Sequence, residues 1–127
     1  MTRFLKVSPR LPVRDLARTV TFYREMLGFH AGEPWPAEAP TFVMLERDGV
    51  VVQFYVPQPP EPTGHGTINL EVDDVRPLHK ALKDRVTIDW GPEVYWYRRR
   101  EFSFRDPDGY TVIISAETDD PVDCAAD

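Results

Sequence analysis

Cysteine is almost absent. The single Cys124 lies in a polar tail with no second thiol to pair with, so an internal disulfide is excluded and a reducing, cytoplasmic setting is expected. No apolar run approaches the roughly 20 residues of a membrane span, so no membrane role is expected. The N-terminus, Met1-Thr2-Arg3-Phe4-Leu5-Lys6, has no long apolar segment and no cleavage signature, so no secretory signal is expected either. Histidine is scarce, with three residues and no paired motif. No Ser-His-Asp or Cys-His catalytic arrangement can be defended. Positive charge is outnumbered, for a formal net charge of −6. That argues against general nucleic-acid binding, which relies on neutralising phosphates. It favours cationic small molecules mildly, and it also serves solubility.

What is present is an ordinary soluble composition, 42% hydrophobic and 28% charged over 127 residues. This length suits one domain, or two small modules sharing a core. The clearest local signal is Asp106-Pro107-Asp108-Gly109. Proline fixes φ at a turn corner, aspartate bonds its own following backbone, and glycine supplies positive φ. β-Favouring runs flank it, Phe102 to Phe104 and Tyr110 to Ile114, which predicts a hairpin.

Read in order, Phe4 to Ser8 predicts a short first strand, ended early or held at an edge by Pro9 and Pro12. Asp15 is a good N-cap; Leu16, Val20, Tyr23 and Leu27 follow at helical spacing, and Gly28 suits the stop. Phe29 to Trp35 is a weakly patterned strand, and Glu33 to Pro40 a loop. Thr41 to Glu46 and Val50 to Val56 are strands around the tight turn Arg47-Asp48-Gly49. Pro57 to Gly66 reads as a stiff, proline-rich linker. Thr67 to Asp73 predicts a strand, and Asp73 or Asp74 caps a helix to about Asp84 with Pro77 in its first turn. Val86 to Trp90 predicts a further strand. An aromatic and basic loop, Tyr95 to Arg100, then leads into the hairpin. The acidic tail from Glu117 to Asp127 is expected to be mobile.

The order is β-α-β-β-β, linker, β-α-β-β-β, an α+β pattern that invites a test for an internal repeat. Leu11-Pro12-Val13-Arg14-Asp15-Leu16 aligns with Leu70-Glu71-Val72-Asp73-Asp74-Val75, and Glu46-Arg47-Asp48-Gly49 aligns with Asp106-Pro107-Asp108-Gly109, at offsets of 59 and 60 residues. The chain is therefore one domain of two modules, about residues 4–56 and 67–117, joined by the linker 57–66 and followed by the tail 118–127. Each half alone would leave a sheet face bare. Pairing the halves, within one chain or between chains, closes a cavity.

Three motifs carry a family resemblance. They are Leu11-Pro12-Val13-Arg14-Asp15-Leu16 with Thr21-Phe22-Tyr23-Arg24 and Leu27-Gly28-Phe29; Asn69-Leu70-Glu71-Val72-Asp73-Asp74; and Phe104-Arg105-Asp106-Pro107-Asp108-Gly109. Together they resemble the vicinal-oxygen-chelate superfamily, which holds glyoxalases, extradiol dioxygenases and bleomycin-resistance proteins. The resemblance implies two βαβββ modules forming a cleft. In metal-bearing members, His, Glu or Gln ligands stand at four equivalent strand positions, which fall here on Ser8, Gln53, Thr67 and Ile113. Two hydroxyls, one amide and a hydrocarbon hold a divalent metal poorly, so neither metal nor cofactor is expected. An alternative set of Gln53, His65 and Glu117, shifted along the strands, would make the chain a metal-dependent lyase, isomerase or dioxygenase. A metal-free enzyme using Glu71 or Glu117 also stays open.

Among metal-free members the chain is most similar to the bleomycin-resistance type. Its Pro9 matches a proline that lets the first strand swap between subunits, and the hairpin from Arg100 with its Trp-bearing loop is alike. That type implies a homodimer sequestering an aromatic, drug-like antibiotic. Arg98-Arg99-Arg100 departs from it, as a clamp for an anion or as a solvated turn. Candidate ligand-binding residues are Gln53, Tyr55, Thr67, Asn69, Trp90, Tyr95, Trp96, Tyr97, Phe102 and Ile113. Strand alternation puts Tyr55 with Gln53, and Thr67 with Asn69 and Glu71, on one face. The aromatics serve either as stacking platforms or as an apolar plug. A buried Glu71 would need a partner, a neighbouring arginine being the plain choice.

Overall fold

The computed structural model describes residues 1–123; Cys124 lies outside the described residues. The chain divides into two compact units, Met1–Gly64 and His65–Asp127. The first unit contains β1 (Arg10–Pro12), α1 (Leu16–Leu27), β2 (His30–Ala31), β3 (Phe42–Arg47) and β4 (Val50–Tyr55). The second contains β5 (Thr67–Glu71), α2 (Val75–Leu82), β6 (Trp90–Val94), β7 (Arg99–Arg105) and β8 (Thr111–Glu117). Each forms a four-stranded sheet, ordered β1-β4-β3-β2 and β5-β8-β7-β6. In both, the first strand runs parallel to the last and the other pairs are antiparallel. The α+β fold of two βαβββ modules is thus the one its motifs imply.

Local chemistry sets the helices. Asp15 has extended backbone, and its Oδ1 accepts from the Arg18 N–H at 3.1 Å. Gly28 closes α1 at φ 68°, where a left-handed cap favours glycine. Leu16, Thr19, Tyr23 and Leu27 are the buried residues of α1. Thr19 replaces the expected Val20 because its hydroxyl donates to the Asp15 carbonyl at 3.1 Å and so is satisfied when buried. The Tyr23 ring meets Phe54 of β4 at 5.1 Å. In the second unit Asp74 caps α2 through the Arg76 N–H at 3.0 Å.

One face of each sheet is core. Val43, Leu45, Val52 and Phe54 in the first unit are at most 4% exposed, and Phe102, Phe104, Val112 and Ile114 in the second have no exposed surface. The Asp106-Pro107-Asp108-Gly109 turn forms as its residues dictate. Asp106 Oδ1 accepts from the N–H groups of Asp108 and Tyr110, both at 3.0 Å, and Gly109 takes φ 96°.

Three expectations are corrected. Phe4 to Ser8 is not a strand; the first strand is Arg10–Pro12. The Pro9 carbonyl accepts from Gln53 N–H at 2.9 Å, and Val13 N–H donates to Tyr55 at 2.8 Å. Odd positions therefore face β4. Pro12 turns its missing N–H to the free edge, whereas Pro9 lacks the donor that the ladder needs next, and pairing stops there. The strand expected at Val86 to Trp90 starts at Trp90 and runs to Val94. Arg85 and Val86 are still bonded to the Leu82 carbonyl as helix-end turns, at 2.8 and 3.0 Å. The segment after β8 is tied back as far as Asp123, which exchanges bonds with the Val94 backbone at 2.5 and 3.0 Å, while Asp120 pairs with Arg100 at 2.5 Å.

Candidate functional site

The side of the second sheet away from α2 carries a cavity of about 580 Å³. Strand alternation brings its floor together. Asn69 and Glu71 come from β5, Ile113 from β8, Arg99 and Glu101 from β7, and Trp90 from β6; Tyr97 descends from the β6–β7 loop. Cross-strand register sets them in rows. Trp90, Ser103, Ile113 and Asn69 lie side by side, and Glu101, Ser115 and Glu71 form the next row.

The β6–β7 loop is a tight one. Tyr95 N–H bonds the Arg99 carbonyl, Arg98 N–H bonds the Tyr95 carbonyl, both at 2.9 Å, and Arg98 takes φ 66°. This is the three-residue hairpin loop that ends in a left-handed residue. It lines up the aromatics in sequence. Trp90 meets Tyr95 edge-on at 5.5 Å, Tyr95 stacks on Tyr97 at 5.8 Å and 10°, and Trp96 meets Tyr97 edge-on at 5.2 Å.

A carboxylate lies at the centre. Glu101 is only 5% exposed. Its Oε1 accepts from the Tyr97 hydroxyl, and its Oε2 accepts from Ser115 Oγ at 2.6 Å. Ser115 Oγ in turn accepts from Arg99 Nε at 2.6 Å. A buried charge with this many donors is held, whereas an unpaired one would be expelled or neutralised. The Arg99 guanidinium also approaches Glu71 at 3.2 Å and Glu117 at 3.7 Å. Those two carboxylates are mostly exposed, so their pairs are weak. One cation among three carboxylates leaves this face acidic, and the guanidinium is already engaged. It is therefore not a vacant clamp for an anion.

Of the candidate ligand-binding residues, Asn69, Trp90, Tyr97 and Ile113 border the cavity. Thr67 shares their strand face but stands exposed at the start of β5. Tyr95 and Trp96 buttress Tyr97 from outside the cavity. Phe102 is corrected: it is fully buried, edge-on to His79 of α2 at 5.2 Å. With period two along β7, placing Glu101 on the cavity side sends Phe102 to the helix side. Gln53 and Tyr55 belong to the first unit, where both are half-buried. Glu71 finds its arginine in Arg99. The residue that sequence reasoning missed is Glu101. Its alternation with Phe102 and Phe104 was the available signal, obscured by the two phenylalanines around it.

The donor set does not suit a metal. Gln53 Oε1 accepts from Arg10 Nε at 2.9 Å, so a cation already occupies that oxygen. Ser8 lies outside β1, Thr67 offers a hydroxyl and Ile113 offers nothing. In the alternative set, His65 is exposed outside β5, and Glu117 faces Arg99. Among the described residues no cluster of three or more His, Cys, Asp or Glu could hold an ion.

A duplicated βαβββ fold with a small-molecule-sized cavity on an open sheet face defines the class. The chain belongs to the Glyoxalase/Bleomycin resistance protein/Dioxygenase superfamily, whose sequence model matches residues 4–114. Among solved structures, a superfamily member from Sphaerobacter thermophilus is 27% identical, covering 90% of this chain and 98% of that one, with a TM-score of 0.75. TnmS3, an antibiotic binding protein from Streptomyces sp. CB03234, is 22% identical over 93% of this chain and 100% of its own, also with a TM-score of 0.75. A glyoxalase/bleomycin resistance protein/dioxygenase from Nocardioides is 19% identical over 100% of this chain and 92% of its own, with a TM-score of 0.71. No curated protein matches the sequence. Among the described residues no helix is long and apolar enough to cross a membrane.

Proposed function

We propose that the chain is a metal-independent binding protein of the cytoplasm that sequesters an aromatic, drug-like small molecule. The observation that carries this reading is the cavity of about 580 Å³, which pairs two aromatic walls, Trp90 and Tyr97, with polar groups on its floor. Its size falls in the range of small-molecule sites, roughly 300–1,000 Å³. None of the described histidines borders it, and its buried carboxylate, Glu101, is tied up by the Tyr97 and Ser115 hydroxyls, which favours holding a ligand over transforming one. The likeness to an antibiotic binding protein supports the same class of ligand.

The working form is a homodimer. Phe4, Leu5 and Val7 stand 97%, 82% and 87% exposed in the single chain, an apolar segment that a second subunit would cover. Pro9 ends its pairing at home and leaves it free to be exchanged. Light scattering on the purified protein is expected to give twice the chain mass; a monomer at all concentrations rejects this part.

Isothermal titration with bleomycin and a panel of neutral and cationic planar drugs tests the sequestration. Saturable heat is expected for at least one aromatic compound, unchanged by chelator. Silence across the panel removes the reading. A thermal shift with Zn, Ni, Mn or Fe, matched by stoichiometric metal on elemental analysis, would replace it with the metal-dependent enzyme.

A further inference from the structure

Ser103 Oγ is the one buried side-chain polar atom among the described residues without a hydrogen-bond partner. The residue has no exposed surface. Buried hydroxyls are normally paired, and an unpaired one is costly to keep. Its place in the sheet gives it a use. Side chains alternate along β7, with Phe102 and Phe104 in the core and Arg99 and Glu101 at the cavity, so Ser103 belongs to the cavity side. Its cross-strand neighbours are Trp90 on β6 and Ile113 on β8, and both line the cavity. Opposed side chains on one face of a sheet stand close enough to touch, so the large Trp90 and Ile113 flank the small Ser103. The Trp90 residue is 36% exposed, and its ring meets Tyr95 edge-on at 5.5 Å.

We propose that Ser103 is a concealed specificity residue, uncovered when the Trp90 ring turns aside for a planar ligand that carries a hydrogen-bond acceptor, such as a ring carbonyl. This rests on the reading of the cavity as an aromatic small-molecule site. Carboxylate acceptors crowd this face in Glu71, Glu101 and Glu117, so a ligand acceptor is accommodated there only where a donor meets it, and the unpaired Ser103 O–H is such a donor. Arg99 Nε donates to Ser115 Oγ at 2.6 Å, and its other nitrogens stand 3.2 Å from Glu71 and 3.7 Å from Glu117, so the guanidinium is already held among acceptors. The Ser103 hydroxyl is a buried donor without a partner, and its O–H would turn to the ligand's acceptor once the ring moves.

Fluorene and 9-fluorenone, alike in shape and differing by one carbonyl, are the probes. Titration calorimetry on the full chain is expected to show fluorenone bound roughly threefold to tenfold more tightly, as for one neutral hydrogen bond. Ser103→Ala should abolish that preference, leave fluorene affinity unchanged and unfold at the same or a higher temperature, since no native bond is lost. Equal affinity of the two probes for the unmodified protein overturns the proposal by itself, while the aromatic-site reading stands. Binding of neither probe overturns this proposal, and silence across the aromatic panel as well overturns both. The cover is tested separately. In a Cys124→Ser background, Ser103→Cys places a thiol at this site, and its reaction with a disulfide reagent should speed at least tenfold when Trp90→Ala is added. An unchanged rate shows that Trp90 is not the cover.

Discussion

The two units share a topology and, at offsets of 59 and 60 residues, a register. Arg10 opposite Gln53 corresponds to Asn69 opposite Ile113, and Met44 opposite Gln53 corresponds to Ser103 opposite Ile113. On the helix side they agree in chemistry as well. Val43, Leu45, Val52 and Phe54 match Phe102, Phe104, Val112 and Ile114, all of them core. On the other side they differ. Where the second unit holds the row Glu101, Ser115 and Glu71, the first holds Phe42, Tyr55 and Pro12. The helix side therefore specifies the fold, and the side opposite is where each copy has specialised. The second copy has gathered charge and hydroxyls; the first has kept aromatic and aliphatic groups beside one Arg10–Gln53 bond.

Glycine provides the sharpest contrast. Gly91 lies beside Trp90 at φ +81°, and a Cβ added there would stand 2.8 Å from Phe102 Cα and closer still to the Glu101 carbonyl. The backbone of β6 can pass over β7 only without a side chain, at the point where their register shifts. Gly32, 59 residues earlier, meets only the Met44 carbonyl at 3.4 Å and has no left-handed φ. Gly91→Ala is expected to cost roughly 3 kcal/mol, combining overpacking with left-handed strain. Gly32→Ala should change stability by less than about 1 kcal/mol. Urea midpoints at constant slope measure both. Equal effects would mean that the second copy has not tightened its sheet around the cavity.

Much of this contrast was legible beforehand. Turn chemistry at Asp106 to Gly109, the caps at Asp15 and Asp74 and the repeat itself are local or periodic signals, and the element order follows from them. The cavity face was legible where alternation was clean, as on β5, whose Asn69 lines the site. It was less so at β6, because nothing local reveals that α2 ends in further turns and delays the strand to Trp90. Nor could single-strand patterning show that Arg99, Ser115 and Glu101 would link into one chain of bonds. That depends on cross-strand register, which is a tertiary fact. Phe102 was misplaced for the same reason: an aromatic beside an aromatic loop looks like a ligand wall until the face of its strand is known.

The buried carboxylate sharpens the comparison at the next level of size. Glu101→Ala removes the acceptor of two hydroxyls and strips Arg99 of a partner in a covered place. A loss of roughly 2–3 kcal/mol is expected, much of it the cost of the groups left unpaired. Its counterpart Phe42 is half-buried, with the Arg10 guanidinium 4.8 Å above its ring. Phe42→Ala should cost about 1–2 kcal/mol through lost area and a weak cation–π contact. Tyr97→Phe should take back only part of the Glu101 effect. A double-mutant cycle between Glu101 and Tyr97 is expected to show coupling of about 1 kcal/mol.

The smallest effect separates the units by pH. The Arg76 side chain and backbone N–H both bond the Asp74 cap and hold its carboxyl below the ordinary value of 3.8. A carboxyl depressed on folding contributes stability that is complete above its unfolded value and is lost as pH falls through the folded one. The relevant window therefore lies below about pH 4, starting near the ordinary 3.8. Asp74→Asn keeps a capping oxygen but has nothing to titrate. Wild type should exceed this variant slightly at neutral pH, and the gap should close as pH drops through that window. Because the pair is exposed, 0.5 M salt should shrink the gap as well. A gap constant from pH 7 to pH 2 would show that Asp74 acts through its hydrogen bond to the helix alone, with the ion pair to Arg76 adding nothing.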